Sequence, residues 1–294
     1  MSMLKQNGSG AVAATAELTE YEIAASVQTD KGCVREANED SGRYAKPNDR
    51  TLLLNKGTLL IVADGMGGHA SGEVASGMAV ELVSRLYYQG QGDSQAVLKE
   101  AVEEANRLIY AASIKDEKLN GMGTTCTALV LQQGVAFSAH VGDSRIYLRR
   151  GGQVYLMTED HSAVMEMVKR GIITMEEARH HADKNVILRA LGTSPEVEAA
   201  TWEKPQPIQI GDQFLLCSDG LHDLVEDEEI NQALANTTGP HEACEQLIAL
   251  AKQRGGHDNI TVGIVHIQPA GGDNSSSSAD SQNLRITREV EAAK

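Results

Sequence analysis

The sequence predicts an α+β layered sandwich in which helices pack against antiparallel β-sheets. Apolar, strand-like runs recur between residues 20 and 269, and many of them end at a turn that contains an acidic residue. Short turns, as in LQQGVAF and RRGGQVY, join neighbouring runs into antiparallel hairpins rather than βαβ units. Longer stretches with helical periodicity separate groups of these runs.

The predicted elements follow from the spacing of apolar residues. The strands include YEIAASVQTD, TLLIVADG, TTCTALVLQ, VAFSAHVGDS, QFLLCSDG and NITVGIVHI. Helices are predicted over residues 70–89, 93–119, 227–235 and 241–254. The apolar stripes that support the two long helices are Val74, Met78 and Leu82 in the first, and Val97, Ala101, Leu108 and Ile109 in the second.

A single domain is predicted over residues 20–269. No linker-like stretch interrupts this range, and 41% of the 294 residues are hydrophobic. Residues 1–19 are small and polar, which predicts a disordered N-terminal tail. Residues 270–294 are predicted to be a flexible C-terminal tail, because they contain the low-complexity sequence GGDNSSSSADSQN.

Charge and cysteine content exclude several classes of protein. The formal net charge is −15, from 26 basic and 41 acidic residues, which argues against nucleic-acid binding. It allows a phosphorylated substrate if cations lie between the carboxylates and the phosphate. The cysteines lie far apart with no CxxC pair, and we expect them to be buried thiols of a reducing compartment; they are Cys33, Cys126, Cys217 and Cys244.

The sequence also predicts a soluble, cytoplasmic protein. The segment MSMLKQNGSG has one lysine and no apolar core, which is not the pattern of a signal peptide. No run approaches the 18 apolar residues of a membrane-spanning helix.

Four aspartates lie where strand-like runs end or begin. Asp64, Asp143 and Asp219 close apolar runs, and Asp258 immediately precedes one. Each has small or turn-forming neighbours, which let the backbone pass close to whatever the carboxylate holds. Any one of these residues could simply cap a turn. Four such positions, together with the segment Asn38-Glu39-Asp40, favour a common site instead.

Clustered carboxylates require positive charge. They repel each other, and each costs several kcal/mol to remove from water unpaired. Lysines and arginines near these positions are few, and no His or Cys spacing suits zinc. Ligands that are all oxygen atoms indicate hard divalent ions, Mg²⁺ or Mn²⁺.

Seven motifs, in order, resemble one protein family. They are Arg35-Glu-Ala-Asn-Glu-Asp40, Asp64-Gly-Met-Gly-Gly-His69, Gly123-Thr-Thr, Val141-Gly-Asp-Ser-Arg145, Asp160-His-Ser, Ser218-Asp-Gly220 and Asp258-Asn-Ile-Thr261. Over about residues 20–268 the chain resembles the metal-dependent Ser/Thr protein phosphatases of the type 2C (PPM) family, in their compact bacterial form. This resemblance implies a four-layer α-β-β-α sandwich, two antiparallel sheets flanked by helices, with a flap at about residues 162–191.

The resemblance implies the ligands of two catalytic Mg²⁺ or Mn²⁺ ions. Asp64 would bridge the ions, and Asp219 and Asp258 would complete the protein ligands of the first. Glu39 and the carbonyl oxygen of Gly65 would serve the second. A water shared between the ions would lose a proton near neutral pH and attack phosphorus in line with the ester oxygen.

Further implied roles concern the substrate and a third ion. Arg35 would grip the phosphate, because its planar fork matches two phosphate oxygens. Asp40 would hold metal-bound water. Asp143, together with Asp219, resembles a weaker third-metal site.

The proton donor for the leaving group is left open by the motifs. Met66 stands where some members of the family carry a histidine that protonates the leaving alkoxide. A metal-bound water is therefore the preferred donor, and His69 is the alternative.

Phosphorylated proteins, including a Ser/Thr kinase and its targets, are the expected partners of a monomeric enzyme. Two alternatives have different signatures. A catalytically silent regulator with this fold would have lost metal ligands, and none is lost here. Another two-metal phosphohydrolase, such as a nuclease, would need a basic groove, which the composition does not suggest.

Overall fold

The computed structural model of the protein describes residues 21–67 and 71–270, and its elements confirm the α+β class. The strands are β1 Tyr21–Asp30, β2 Ser41–Ala45, β3 Thr58–Ala63, β4 Gly65–Met66, β5 Gly123–Thr124, β6 Cys126–Gln132, β7 Val135–Val141, β8 Arg145–Arg150, β9 Gln153–Leu156, β10 Ala200–Thr201, β11 Gln206–Pro207, β12 Gln213–Cys217 and β13 Ile260–Pro269. The helices are α1 Arg50–Lys56, α2 Ser71–Gln89, α3 Ser94–Lys115, α4 Ala163–Lys169, α5 Met175–Arg179, α6 Asp219–His222, α7 Asp227–Asn236 and α8 Pro240–Gln253, and a 3₁₀ turn, Glu117–Leu119, follows α3.

Two antiparallel sheets form the centre of the molecule. One has the strand order β1-β13-β12-β8-β9, and the other has the order β10-β7-β6-β3-β2, with β11 also paired to β7. The β6–β7 and β8–β9 hairpins confirm the turns predicted at LQQGVAF and RRGGQVY. A short ladder between β4 and β5 begins directly after Asp64.

Side chains that alternate along the strands make the sandwich four layers thick. In β3, Leu59 and Ile61 pack with α2 and α3, whereas Leu60 and Val62 pack between the two sheets. In β12 the same alternation directs Leu215 towards α7 and α8. The predicted α-β-β-α arrangement is therefore confirmed.

The long helices bury partly different faces from those predicted. Val74 is 38% exposed, and α2 instead buries Ala75 and Ala79. A spacing of four drifts around a helix that has 3.6 residues per turn, so the stripe from Val74 does not stay on one face. In α3, Leu108 is 37% exposed, while its neighbour Ile109 is fully buried.

The cysteine prediction is correct for three of the four residues. Cys126, Cys217 and Cys244 are buried and free, as expected, but Cys33 is exposed. Cys33 lies in the irregular loop between β1 and β2 rather than in a strand or helix of the core.

The predicted flap, residues 162–191, contains α4 and α5, and hydrogen bonds join its two ends. Ser162 pairs with Ile187 in an isolated antiparallel bridge, and the Leu188 N–H donates to the His161 carbonyl at 2.7 Å. The predicted tails are residues 1–19 and 270–294, and apart from Ala270 they lie outside the described residues. In the part of the chain that the structure describes, no helix is long and apolar enough to cross a membrane.

Candidate metal centre

The acidic residues predicted for the site converge where connections from both sheets meet. They are Glu39 and Asp40 before β2, Asp64 after β3, Asp143 between β7 and β8, Asp219 after β12, and Asp258 before β13. Burial and the charge of Asp40 raise the pKa of Asp64, and Asp219 and Asp143 act in the same direction. The structure therefore brings these carboxylates together.

A close approach of three backbone segments surrounds Glu39. A Cβ atom on Gly65 would lie 2.2 Å from the Gly72 carbonyl oxygen and 2.4 Å from that of Glu39, so only glycine fits there. The Glu39 carboxylate accepts from the Gly72 N–H in the first turn of α2. Its backbone carbonyl accepts from Ser76 Oγ at 2.5 Å. These contacts hold the Glu39 carboxylate next to the Gly65 backbone.

Asp40 lies in a buried, partly polar environment. Ser218 Oγ donates to Asp40 Oδ2 at 2.7 Å, and the Thr261 hydroxyl also bonds the carboxylate. Burial nevertheless raises the pKa of Asp40 to about 7, and the charges of Asp219 and Asp258 add to this effect.

The backbone of Asp64 is fixed by the Gly-Thr-Thr motif. Its N–H donates to Thr125 Oγ1 at 2.8 Å, and its carbonyl accepts from the Thr125 N–H and from Thr124 Oγ1, each at 2.9 Å. Thr125 Oγ1 also lies 2.7 Å from Ser144 Oγ, which follows Asp143. This hydroxyl pair links the turns that carry the two aspartates.

Asp143 lies near the buried ion pair between Arg145 and Asp160. The His222 ring donates from Nε2 to the Asp143 carbonyl oxygen at 3.1 Å. The guanidinium of Arg145 binds both carboxylate oxygens of Asp160, with Nη2 2.6 Å from Oδ2. Burial, and then the charges of Asp219 and Asp160, raise the pKa of Asp143. Arg145 is paired with Asp160, and its charge opposes the rise in the pKa of Asp143 without reversing it.

Arg35 is the cation that contacts the cluster from its exposed side. Its Nη2 lies 2.7 Å from Asp258 Oδ2, and its side chain is 52% exposed. The bond to Asp258 raises the pKa of Arg35, with further contributions from Glu39 and Asp64. A half-exposed guanidinium beside a carboxylate cluster is well placed to meet an incoming anion.

The carboxylates fit divalent cations by their chemistry. Burial and neighbouring negative charge also raise the pKa of Asp219, to about 6. Buried carboxylate oxygens without a hydrogen-bond partner within the described chain include Oδ1 of Asp40, Asp143 and Asp219. Such atoms are costly unless a cation or proton satisfies them. No three His, Cys, Asp or Glu side chains of residues 21–67 and 71–270 already form a metal-binding group, so this fit rests on electrostatics.

The comparisons agree with the geometry. A family model described as protein phosphatase 2C matches residues 44–253. The chain belongs to the protein phosphatase 2C family. This family member is 39% identical, over 246 residues, to the serine/threonine phosphatase Stp of Listeria innocua, and the match covers 82% of this chain and 94% of the relative. It is 41% identical over 241 residues to the serine/threonine protein phosphatase PstP of Mycobacterium tuberculosis, covering 82% of this chain and 44% of that longer protein.

A solved structure of a similar protein contains metal. The catalytic domain of the serine/threonine protein phosphatase PstP, in complex with two manganese ions, superposes with a TM-score of 0.73 at 38% identity. The match covers 85% of this chain and all of that domain (100%). A protein with 38% identity and a similar fold therefore holds two manganese ions.

Sequence reasoning missed the neutral residues that hold the carboxylates. Ser218 and Thr125 lie inside the quoted motifs but had no predicted role, although each bonds an acidic residue or its backbone. The available signal was a hydroxyl residue next to two of the acidic strand ends, Ser218 before Asp219 and Ser144 after Asp143. Met66 pairs with Gly123 across the short ladder, and His69 lies outside the described residues.

Proposed function

We propose that this chain, a metal-dependent protein serine/threonine phosphatase, holds its two divalent ions in the carboxylate cluster. Asp64 would bind both ions, and Asp219 and Asp258 would complete the ligands of the first. Glu39 and the carbonyl oxygen of Gly65 would bind the second. The observation that carries this assignment is the group of buried carboxylates with raised pKa values and unpartnered oxygens.

The reaction is the direct hydrolysis of phosphoserine and phosphothreonine by water. When bound, the ions activate that water and offset charge on the phosphate oxygens. Arg35 binds the phosphate. Among the described residues its only hydrogen-bond partner is Asp258, through Nη2, which leaves its other guanidinium nitrogens for phosphate oxygens. Asp40, held by Ser218, accepts hydrogen bonds beside the ions, and Asp143 with Asp219 offers a third, weaker cation site.

The proposal extends to partners, location and domain limits. The substrates are phosphorylated proteins, among them a Ser/Thr kinase and its targets, in cytoplasmic signalling. The net charge of −15 supports an enzyme that avoids nucleic acid and membrane surfaces. A monomer with its catalytic domain at residues 20–269, and tails that are not needed for chemistry, completes the proposal.

The test is dephosphorylation of a phosphothreonine peptide by the full chain. We expect turnover with Mn²⁺ or Mg²⁺ and none in chelator. A second assay with double-stranded DNA separates a nuclease from a phosphatase, and we expect no cleavage. For a ligand variant such as Asp64→Asn, the matched control is Asp116→Asn. Asp116 caps the turn after α3, at residues 117–119, and is exposed. Full turnover in metal-free buffer would contradict the mechanism, and metal binding without turnover would indicate a silent regulator.

A further inference from the structure

Asn259 lies at the junction of the segments that carry the proposed metal ligands. Its Nδ2 donates to the carbonyl oxygens of Lys31, at 3.0 Å, and Ala37, at 2.9 Å. Its Oδ1 accepts from the Glu39 N–H at 2.8 Å. Asn259 is only 5% exposed. A side-chain amide supplies two donors and an acceptor in one plane, and no other short side chain supplies the same set.

The loop that Asn259 holds is irregular and is fixed by hydrogen bonds. It joins β1 to β2 and carries Arg35, Glu39 and Asp40 without regular secondary structure. Val34, in its middle, is 67% exposed, so few apolar contacts fix the loop. Its other attachments include the bond from the Cys33 N–H to the Gly256 carbonyl (2.7 Å) and the bond from Asn38 Nδ2 to Thr29 Oγ1 (2.8 Å). Ser76 and Ser218 also bond Glu39 and Asp40, but Asn259 is the side chain that bonds the loop backbone at three points, residues 31, 37 and 39.

The backbone of Asn259 contacts the other group of proposed ligands. Its N–H donates to Asp258 Oδ1 at 2.8 Å. A Cβ atom on Gly220 would lie 2.0 Å from the Asn259 carbonyl oxygen, so Asn259 packs directly on the turn that begins at Asp219. One residue thus touches the segments of Glu39, Asp258 and Asp219.

We propose that Asn259 is a positioning residue that sets the spacing between the Glu39–Asp40 segment and the Asp219–Asp258 side of the metal centre. The inference rests on the proposed ligand set. Metal–ligand distances tolerate only about 0.2 Å, and loss of an outer-shell hydrogen bond typically weakens metal binding 10–100-fold. Asn259 touches no ion in this proposal and acts through the backbone that it holds.

Asn106 provides a matched control for the same chemistry. It is fully buried, its Nδ2 donates to the carbonyl oxygens of Ser194 and Pro195 at 3.1 and 3.3 Å, and its Oδ1 accepts from the Gly192 N–H at 2.8 Å. Asn106 therefore joins the loop at residues 192–195 to α3 through three hydrogen bonds of the same kinds as those of Asn259. No acidic residue of the proposed metal centre is among its hydrogen-bond partners.

The experiment compares Asn259→Ser and Asn259→Ala with Asn106→Ser and Asn106→Ala in the full chain. Calorimetry gives the Kd for Mn²⁺, thermal melting in chelator gives the Tm, and phosphopeptide turnover gives kcat and KM. We expect the Kd to rise about 10–100-fold in the Asn259 variants and less than about threefold in the Asn106 variants. The Tm should fall to a similar extent in both pairs, and excess Mn²⁺ should restore kcat in the Asn259 variants.

Each other outcome overturns the inference. A wild-type chain that binds no Mn²⁺ removes the proposed function and this inference with it. Wild-type binding combined with an unchanged Kd in the Asn259 variants removes the inference alone. Equal losses of affinity in both pairs, or Asn259 variants that fail to fold while the Asn106 variants fold, would assign Asn259 to general stability instead.

Discussion

Metal-free protein should lose stability as the pH rises, and Asp40 provides the clearest measure of this effect. Its pKa in the folded state, about 7, lies above the ordinary value of 3.8 because of burial and the charges of Asp219 and Asp258. Between these two values the folded state binds more protons than the unfolded state. The free energy of unfolding therefore falls as the pH rises through the range from about 4 to 7.

The size of the effect follows from the pKa difference. From 3.8 to about 7, the change in the pKa of Asp40 corresponds to about 4 kcal/mol of unfolding free energy. Part of this loss of unfolding free energy has already occurred at pH 5, so a further loss of about 3 kcal/mol is expected between pH 5 and pH 8. For a domain of about 250 residues, this corresponds to roughly 6–12 °C in Tm.

Buried histidines act in the opposite direction, so a comparison with a variant is needed. Burial lowers the pKa of His140 and of His222 to about 3, so their contribution to stability grows as the pH rises to about 6.5. Asp40→Asn retains the shape of the side chain and removes its charge, while the histidines are unchanged. The difference between variant and wild type therefore isolates Asp40.

The assay is thermal melting in chelator at pH 5 and pH 8, repeated with Mn²⁺. We expect the Tm of Asp40→Asn minus that of wild type to increase by roughly 6–12 °C between pH 5 and 8. Mn²⁺ at 100 times its Kd adds about 2.7 kcal/mol per site, and its positive charge should favour ionised Asp40 and so remove most of the pH dependence of that difference. A difference that stays constant or decreases with pH would refute the electrostatic account of this site.

Three further predictions concern the proposed ligands, the phosphate contact and the domain boundary. Asp64→Asn and Asp219→Asn should each reduce phosphopeptide kcat/KM at least about 100-fold. Neither should lower the Tm in chelator, because each removes a buried charge. A lower Tm would indicate a structural role. Arg35→Ala should raise KM about tenfold or more. Mn²⁺ binding should be equal or tighter, because Asp258 loses a competing cation. Weaker Mn²⁺ binding with an unchanged KM would contradict the phosphate role. Deletion of residues 270–294 should change the Tm by less than about 3 °C, because β13 ends at Pro269 and is paired along its length with β1. A drop of many degrees would move the domain boundary.

The strand-end aspartates could be predicted because a long apolar run carries its own signal. A run such as LLIVAD contains a buried strand followed by a charge, and both properties depend on neighbouring residues only. Strands at the centre of a sheet have few alternatives, so Asp64 and Asp219 could be assigned to strand ends before the sheet was known. The number of such positions favoured a common site, and the family resemblance implied the role of each residue in it.

Contacts between residues that are distant in sequence could not be predicted in this way. Ser218 and Asp40 are 178 positions apart, and Asn259 and Glu39 are 220 apart. No local pattern predicts a hydrogen bond between residues so far apart in sequence. The short strands β10 and β11 are likewise set by pairing with β7 rather than by their own residues, and the sequence gives them no strand-like run.

The two sheets share the proposed site, and this division links metal binding to the assembly of the sandwich. Asp64 follows β3 of one sheet, whereas Asp219 and Asp258 adjoin β12 and β13 of the other. Beneath them, Leu60 of β3 packs against Gly263 of β13 so closely that a Cβ on the glycine would lie 2.9 Å from a leucine methyl group. The packing below the site therefore sets the distance that the ions must bridge. With the proposed ligand set, bound ions would join the two sheets, so the residues that make the metal-free domain less stable at neutral pH would make its metal-bound form a cross-linked one.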